Sequence, residues 1–265
     1  MLHYIQRGIS SVAAVGFPSA ATYWSGRIAA KLGMGQGSMV TIQPRGIAHP
    51  IQLRGGPSSD LQVFRQIFLD QEYQPLVGGG ERIGSVLDLG ANIGLASIYF
   101  LNRFPDATIL AVEPNPDNAE MCRRNLRPYG KRARVLEGAV WVHEGELALS
   151  RDGFGDGREW ASSVVEIPET GTAEKVKCWT MPQLLDALGT GGRADLVKID
   201  IEGAEEPLFR ADAGVWLGKV RNLCIELHGK ACRDAFDEGM RHFEREQQYS
   251  GELLVCRGIR ERVEV

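Results

Sequence analysis

The sequence lacks the cysteine pattern of a disulfide-stabilised or zinc-binding protein. Its five cysteines are scattered along the chain, their number is odd, and no two of them form a C-x-x-C pair. Small disulfide-bonded domains and structural zinc sites both use paired or closely spaced cysteines. We therefore expect a reduced, cytoplasmic protein that folds around a hydrophobic core. The cysteines are Cys122, Cys178, Cys224, Cys232 and Cys256.

A long apolar run and a basic stripe are also missing. The uncharged stretch 9–26 contains serines, glycines and a proline, so it is too polar for a transmembrane segment and lacks the leucine-rich centre of a signal peptide. We expect helices that pack on the domain there, with export as the less favoured alternative. The net charge of −4 argues against nucleic acid as a partner, because nucleic-acid binders usually carry a basic surface.

The length and composition fit one α/β domain with an extension. The chain has 265 residues, of which 43% are hydrophobic, and a chain of this length can bury a sizeable core. We predict an N-terminal helical extension over 1–80, which contains a short β-hairpin with strands at 39–43 and 50–54. A helix is expected to begin at 58–60, where two serines and an aspartate are favoured N-cap residues.

Residues 81–265 are predicted to form the larger domain, in which strands and helices alternate. Each strand is a continuous apolar run, which is typical of a parallel sheet covered by helices on both faces. An inserted antiparallel piece is expected at 145–180, with the glycine loop 153–157 near the substrate entrance. The other predicted elements are strands 85–89, 108–112, 134–136, 196–200, 220–227 and 253–256 and helices 93–104, 117–126 and 235–247.

The run Asp88-Leu89-Gly90-Ala91-Asn92-Ile93-Gly94 joins the first of these strands to its helix. Glycines in such a turn let the backbone approach a ligand, and the new helix directs free N–H groups toward it. Asp88, at the end of the strand, can accept hydrogen bonds from a cationic or hydroxyl-bearing ligand. The spacing differs from the G-x-G-x-x-G of dinucleotide-binding proteins, because Asn92 stands in place of the second glycine.

Glu113 lies at the end of the neighbouring strand. An acidic residue there suits a ribose, because it can accept hydrogen bonds from both hydroxyl groups. A solvated loop carboxylate is the alternative. The prolines at 114 and 116 delay the following helix, and Asn115 can cap it. The loop that leaves the third strand, at 137–140, is expected to lie beside an adenine.

A second polar group follows two further strands. Asp200 and Glu202 leave strand 196–200, and Glu226 and His228 leave strand 220–227. Ligands of open parallel sheets bind outside the carboxyl ends of the strands, so we expect these residues to hold a substrate. An ordinary imidazole has a pKa of about 6.5. His228 is therefore the expected proton acceptor, oriented by Glu226, with Asp200 and Glu202 as competing bases; a histidine bonded only to backbone is the alternative.

Taken in order, these motifs resemble those of the FkbM family of methyltransferases. The resemblance covers about 86–228 and implies a class I methyltransferase fold, a Rossmann-like, doubly wound, mostly parallel seven-stranded sheet whose last strand is antiparallel. It also implies S-adenosyl-L-methionine as cofactor and O-methylation of a hydroxyl group on a sugar, a glycan or glycolipid, or a secondary metabolite. The matching runs are Asp88 to Gly94, Glu113-Pro114-Asn115, Lys198-Ile199-Asp200-Ile201-Glu202-Gly203-Ala204-Glu205 and Glu226-Leu227-His228.

Two sets of site residues follow from the motifs and the resemblance. The expected catalytic residues are His228, Asp200, Glu202 and Glu226. The expected cofactor-binding residues are Asp88, Gly90, Asn92, Gly94, Glu113, Pro114, Asn115, Ala139 and Asp200. A divalent metal such as Mg²⁺, held by Asp200, Glu202 and Glu226, is compatible with carboxylate chemistry, but no ligand spacing demands it.

Two other functions stay open at the level of the sequence. One is a nucleotide-dependent oxidoreductase or epimerase on a Rossmann-like sheet, which the glycine spacing disfavours. The other is a non-catalytic module that binds the cofactor, which the acidic residues at three strand ends disfavour. The expected partner is a small-molecule or glycan hydroxyl acceptor. The sequence indicates neither its identity nor an oligomeric state.

Overall fold

A computed structural model of the chain describes residues 11–77, 82–150, 163–165, 175–211 and 213–262. The glycine run 78–80 and the glycine loop 153–157 lie outside these ranges. The strands are β1 (Met39–Ile42), β2 (Ile51–Arg54), β3 (Ser85–Leu89), β4 (Thr108–Glu113), β5 (Ala133–Glu137), β6 (Ala139–Val140), β7 (Gly145–Ser150), β8 (Ser163–Val165), β9 (Lys175–Trp179), β10 (Ala194–Ile199), β11 (Val220–Glu226), β12 (Phe243–Ser250) and β13 (Leu253–Glu261).

The helices that frame the sheet alternate with these strands, as the sequence predicts. The helix expected to begin at 58–60 spans Asp60–Phe64 and continues into a π-helical turn, Arg65–Leu69. The helices are α1 (Phe17–Lys31), α2 (Asp60–Phe64), α3 (Gln74–Val77), α4 (Leu95–Arg103), α5 (Pro116–Leu126), α6 (Met181–Ala187), α7 (Glu205–Arg210), α8 (Gly214–Leu217) and α9 (Gly229–Gly239).

Seven strands form the central sheet, in the order β12-β13-β11-β10-β3-β4-β5. The pairs among β11, β10, β3, β4 and β5 are parallel, and β13 runs antiparallel to both β11 and β12. The mostly parallel, seven-stranded sheet with an antiparallel last strand is therefore confirmed. The chain moves outward from β3 to β5 and then returns to the other side of β3 with β10. Such a reversal opens a crevice at the carboxyl ends of the strands.

Alternate side chains of the strands enter two separate cores. Val86 of β3 belongs to the core under α4 and α5, whereas Leu87 belongs to the core under α6 to α9. The same alternation holds in β4, where Ile109 and Leu110 face opposite sides. This period of two explains why each strand is apolar throughout its length.

The N-terminal extension packs into the first of these cores. Its hairpin, formed by antiparallel β1 and β2, agrees with the prediction. Tyr23, Leu53 and Phe64 of the extension are buried together with Phe100 of α4. Ser59 precedes α2 as expected, but its side chain makes no capping hydrogen bond. The domain boundary predicted at residue 80 falls in 78–81, outside the described residues.

The predicted insertion is a second, smaller sheet. Strand β7 pairs antiparallel with β8 and β9, and β6 pairs parallel with β9. Thr180 caps α6 with a hydrogen bond from the Gln183 N–H, and the Gln183 side chain accepts from the Thr180 N–H in return. This capping box fixes where α6 begins.

The predicted helix 235–247 is wrong in its second half. Helix α9 ends at Gly239, and Phe243–Ser250 forms the edge strand β12. The segment contains good helix formers, but pairing with β13 over eight residues overrides that weak preference. Its mostly exposed, polar side chains are typical of an edge strand. Among the described residues, no helix has both the length and the apolarity that crossing a bilayer requires.

Candidate active site

A cavity of about 400 Å³ opens at the carboxyl ends of β3, β4, β10 and β11. Both groups of residues expected from the sequence contribute to its wall. Gly90, Asn92, Glu113, Pro114 and Ala139 line one part, and the other part is lined by Asp200, Glu202, Glu226 and His228. The cavity thus lies at the reversal of strand order, where an open parallel sheet binds its ligand.

Gly90 has a left-handed backbone with φ +72°. A Cβ at this position would lie 1.7 Å from the carbonyl oxygen of Asp200, far inside contact distance. The glycine is therefore required by the backbone that follows β10, in addition to lining the cavity. The sequence predicts the close approach but assigns it to a ligand.

Asn92 and Gly94 complete the turn in different ways. Asn92 also has a positive φ, +50°, and its N–H donates to Glu113 Oε2 at 2.7 Å. Gly94, with φ +86°, precedes α4, and a Cβ there would lie 3.0 Å from Cys122 Sγ on α5. Asn92 lines the cavity, whereas the structure gives Gly94 a role in packing the two helices.

Glu113 is a buried carboxyl group, 5% exposed, at the cavity wall. Its Oε1 accepts a hydrogen bond from the Asn115 N–H at 2.9 Å, and its Oε2 accepts the bond from Asn92. Burial raises the pKa of Glu113 to about 7 against these hydrogen bonds, which lower it. Oε1 also accepts a hydrogen bond from Asn118 Nδ2 at 3.5 Å. Each carboxylate oxygen has two lone pairs, so Oε2 is the oxygen that retains capacity for a ligand.

The residues after Glu113 divide between cavity and helix cap. Pro114 lines the cavity, as does Ala139 on the neighbouring strand β6. Asn115 does not; its Oδ1 caps α5 by accepting from the N–H groups of Asp117 and Asn118. Asn118 was missed by sequence reasoning. It is 2% exposed, lines the cavity, and its Oδ1 is buried without a hydrogen-bond donor among the described residues.

Asp88 lies behind the cavity wall rather than in it. Its side chain is fully buried, and its Oδ2 accepts a hydrogen bond from Ser97 Oγ at 2.6 Å. Its Oδ1 is 3.4 Å from Lys198 Nζ on β10, the residue paired with Asp88 across the sheet. Lys198 also lies 3.5 Å from Asp200 Oδ2. The cation therefore connects Asp88, within β3, to Asp200, directly after β10.

Lys198 is the second residue that sequence reasoning missed, although a lysine inside an apolar strand was a visible signal. Lys198 is 3% exposed. Its ammonium group donates hydrogen bonds to the carbonyl oxygens of Gly90, at 2.6 Å, and Leu89, at 3.3 Å. Burial acts to lower its pKa, but the carboxylates of Asp200 and Asp88 raise it above the ordinary value. Lys198 is thus a permanent cation beneath the turn.

Four side chains meet at the opposite wall, and we name Asp200, Glu202, Glu226 and His228 the rim cluster. The Nε2 atom of His228 lies 3.5 Å from Glu202 Oε2, 3.7 Å from Glu226 Oε1 and 3.9 Å from Asp200 Oδ1. These distances exceed those of a good hydrogen bond. The predicted catalytic residues are therefore brought together, with Nε2 free of a short bond to any of the three.

The other imidazole nitrogen is held by a residue outside the predicted set. His228 Nδ1 lies 3.0 Å from Oε1 of Glu205, which is fully buried at the start of α7. Burial opposes ionisation of Glu205, but the hydrogen bond and positive charge of His228 lower its pKa below the ordinary value. Sequence reasoning gave the orienting role to Glu226.

The pKa values of Glu202, Glu226 and His228 in the rim cluster approach one another. Burial acts to lower the pKa of His228, but Glu205, Asp200 and Glu202 raise it to about 9. Burial and then Asp200 raise the pKa of Glu226 to about 8 and that of Glu202 to about 7. Groups with pKa values close to neutral exchange protons with little driving force, which suits general acid–base chemistry.

Asp200, Glu226 and His228 each offer one ligand atom, and these three atoms lie within 4.8 Å of one another. The spacing is compatible with a metal ion and differs from the predicted set by His228 in place of Glu202. Neighbouring acidic groups also occur without a metal. The presence of Mg²⁺ therefore stays a prediction.

The N-terminal extension forms part of the cavity wall, which the sequence did not indicate. Gln66 and Ile67 of the π-helical turn line the cavity, as does Glu72. Glu252, between β12 and β13, lies on the same side. Burial, and then the charges of Glu252 and Asp70, raise the pKa of Glu72 to about 7. Interruptions of α-helical pairing of this kind are frequent at functional sites.

Known methyltransferases are similar in sequence to more than half of this chain. The 2-O-methyltransferase NoeI of Sinorhizobium fredii is 28% identical over 171 residues, which cover 58% of this chain and 64% of NoeI. The chain therefore spans less than two thirds of that relative. Methyltransferase 1 of Beauveria bassiana is 23% identical over 208 residues, covering 71% of this chain and 83% of that protein.

A crystal structure of methyltransferase FkbM from Methylobacillus flagellatus has 14% sequence identity and a TM-score of 0.47, covering 68% of this chain and 45% of that one. The family described as the methyltransferase FkbM domain matches residues 88–250, more than half of the chain. The match begins at Asp88, the last but one residue of β3, and includes the rim cluster. The chain belongs to the FkbM family of methyltransferases.

Proposed function

We propose that this methyltransferase uses S-adenosyl-L-methionine to methylate a hydroxyl group of a sugar, a glycan or glycolipid, or a secondary metabolite. The observation that carries the proposal is the arrangement of His228. Its Nδ1 is held by buried Glu205, and its Nε2 faces Asp200, Glu202 and Glu226, which line the cavity together with His228. A base in this position can accept the proton of a hydroxyl group that reacts in the cavity.

The wall opposite the rim cluster fits a nucleoside-bearing cofactor. A volume of about 400 Å³ is within the range of small-molecule sites. Glu113 and Asn118 offer buried acceptor oxygens to hydroxyl and amino groups, and the Asn118 oxygen has no donor among the described residues. An acceptor left without a donor is costly, so a ligand that supplies one is favoured. Pro114 and Ala139 offer apolar surface for a flat base.

The cofactor would supply a methyl group already activated on a sulfonium. The protein therefore contributes mainly position and proton transfer. The Gly90 turn is fixed by Lys198 and by contact with the Asp200 backbone, which fixes that side of the cavity. The rim cluster receives the acceptor's proton, with His228 Nε2 as the receiving atom and the carboxylates holding the resulting imidazolium.

The charge of the cavity favours an acceptor rich in hydroxyl groups. An ionised carboxylate accepts hydrogen bonds, and a carboxyl group that is protonated near its raised pKa also donates one. The hydroxyl groups of a polyhydroxylated ligand can pair with both forms. A cation could also enter, whereas a phosphate or carboxylate group would meet repulsion. The relative NoeI is named a 2-O-methyltransferase, which supports oxygen as the methylated atom. The six acidic side chains that line the cavity are Glu72, Glu113, Asp200, Glu202, Glu226 and Glu252.

The test has two stages. Calorimetry with S-adenosyl-L-methionine and S-adenosyl-L-homocysteine should give saturable binding, whereas NAD and NADP should give none. Transfer of a ¹³C-methyl group to a panel of glycans and hydroxylated metabolites should then produce the carbon shift of a methyl ether by NMR. Binding of a nicotinamide cofactor alone would favour an oxidoreductase. Cofactor binding with transfer only to nitrogen would reject O-methylation.

A further inference from the structure

The carboxylate of Glu205, the first residue of α7, makes four directed contacts. Oε1 accepts a hydrogen bond from the Ile201 N–H at 3.0 Å in addition to the contact with His228 Nδ1. Oε2 accepts from the Gly203 N–H at 2.9 Å and lies 3.4 Å from Cys232 Sγ on α9. The side chain is fully buried. Each carboxylate oxygen of Glu205 therefore has two directed contacts, one of them with a backbone N–H that can only donate.

The backbone of residues 201–203 forms a tight loop that makes two of these contacts possible. Glu202 has a left-handed φ of +52°, which is uncommon for a residue with a side chain, and Gly203 follows with φ +97°. This tight loop turns the N–H groups of Ile201 and Gly203 back onto the carboxylate that begins α7. The local strain is offset by charge-assisted hydrogen bonds, which are stronger than neutral ones.

We infer that Glu205 is a positioning residue for methyl transfer, which fixes the orientation and tautomer of His228 so that the Nε2 lone pair enters the cavity. The inference rests on the proposed function of His228 as the proton acceptor. A carboxylate can only accept, so Nδ1 must carry the hydrogen that points to Glu205. Neutral imidazole has one hydrogen, and Nε2 is then left as the basic atom.

The other carboxylates cannot provide this orientation. Glu202, Glu226 and Asp200 all lie 3.5 Å or more from His228, and all approach Nε2 rather than Nδ1. A hydrogen bond from Nε2 to one of them would occupy the atom that must receive the proton. Glu205 therefore excludes the unproductive tautomer, while the three rim carboxylates stabilise the imidazolium after proton transfer.

The decisive substitution is Glu205→Gln, which keeps the shape and introduces an amide donor. That donor can face Nδ1 and favour the tautomer with hydrogen on Nε2, so turnover should fall by about 10²-fold or more. The KM of the acceptor and the dissociation constant of S-adenosyl-L-methionine should change by about twofold or less. Glu205→Asp should recover part of the turnover. The neighbouring Glu206, whose side chain is 38% exposed and paired with Arg210, provides the matched control Glu206→Gln, which should retain wild-type turnover.

A double-mutant cycle separates positioning from a purely structural role. If Glu205 acts through His228, adding Glu205→Gln to His228→Ala should cost no further activity. Equal fold-losses in both backgrounds would overturn the inference. So would a wild-type rate retained by a folded Glu205→Gln protein.

A spectroscopic measurement on the unmodified protein needs neither turnover nor a variant. The ¹⁵N NMR shifts of His228, recorded at a pH where the ring is neutral, should give a protonated Nδ1 and a pyridine-like Nε2. The reverse tautomer would overturn the assignment. Because this result is independent of methyl transfer, it also distinguishes failure of the inference from failure of the proposed function, which is measured by the ¹³C-methyl assay.

Discussion

The ammonium group of Lys198 donates a hydrogen bond to the carbonyl oxygen of Gly90 at 2.6 Å. This contact joins the turn after β3, which carries the glycine motif, to strand β10, which leads to Asp200 and Glu202 of the rim cluster. The same Nζ lies 3.4 Å from Asp88 and 3.5 Å from Asp200. One buried cation thus holds two carboxylates and the cavity wall in a fixed relation.

The first prediction follows from this contact. Lys198→Met keeps an unbranched side chain but leaves the fully buried Asp88 without its counter-ion. Removing one partner of a buried ion pair costs about 3–5 kcal/mol, so the free energy of unfolding should fall by that order in a denaturant titration. Adding Asp88→Asn should restore part of the loss, because the uncompensated charge is then removed.

The control for Lys198 is an exposed lysine with its own partner. Lys230 contacts Asp234, and its side chain is 86% exposed. Lys230→Met should change stability by about 0.5 kcal/mol or less, since surface substitutions away from special features have small effects. Equal losses in the two variants would show that the Lys198 contacts do not stabilise the fold.

A second prediction compares two glycines with nearly the same backbone. Gly90 and Gly191 have φ of +72° and +71°, but a Cβ would strike the Asp200 oxygen only at Gly90 and meets nothing within 4 Å at Gly191. Gly191→Ala should lose about 1–2 kcal/mol from the left-handed backbone. Gly90→Ala should lose about 1–3 kcal/mol more from overpacking, as thermal melts would measure. Equal losses would reject the Asp200 contact as the constraint.

The third prediction concerns the buried carboxyl group at the cofactor wall. Glu113→Gln keeps the shape but removes the charge, and a hydrogen bond to a charged group contributes about 1.5–3 kcal/mol. The affinity for S-adenosyl-L-methionine should therefore fall about tenfold or more. Calorimetry should be run well above the Glu113 pKa of about 7, where the wild-type side chain is ionised.

The neighbouring strand supplies the control for Glu113. Glu137 is the residue paired with it across β4 and β5, but its side chain is 46% exposed and bonded to Arg123. Glu137→Gln should change the dissociation constant of S-adenosyl-L-methionine by about twofold or less. Glu137 is not among the residues that line the cavity, and an exposed ion pair contributes little energy. A wild-type affinity in Glu113→Gln would reject the ribose assignment.

Local sequence patterns predicted the fold where neighbouring residues determine it. The bounds of β3 match the prediction at both ends, and α5 begins one residue earlier than expected. The apolar run of β3 is followed directly by Gly90, and α5 begins at Pro116 directly after its cap residue Asn115. The helix predicted over 235–247 was wrong from residue 243 onward, because pairing with β13, a contact distant in the chain from α9, overrides helix propensity.

The sequence predicted the site residues that lie at the ends of the strands. It did not predict the contacts that support them. Residues after β3, β4, β10 and β11 reach one cavity because parallel strands share an edge. The contact of Glu205 with His228 joins residues 23 positions apart, and that of Lys198 with Gly90 joins residues 108 apart. Glu72 reaches the cavity from the extension. No local periodicity encodes such pairs.

The last prediction places the proton acceptor and its pH dependence. His228→Gln should lower turnover by about 10²–10⁴-fold, with cofactor affinity intact, because the variant has no basic nitrogen. In the wild type the base must be neutral, and the surrounding carboxylates raise the pKa of His228 to about 9. A raised pKa shifts the neutral form to higher pH, so the rate of the chemical step should rise through about pH 9 and level off above it. The exposed His143 provides the control His143→Gln.

A different outcome would identify a different acceptor in the same cluster. Glu202 and Glu226 have pKa values raised to about 7 and about 8, so a carboxylate base would move the rise in rate below pH 9. Near-normal turnover in His228→Gln, together with loss in Glu226→Gln or Glu202→Gln, would assign the proton to that carboxylate. Loss of activity in a chelator, with recovery in Mg²⁺, would replace the histidine mechanism with a metal-assisted one, because a bound cation would then activate the hydroxyl group directly.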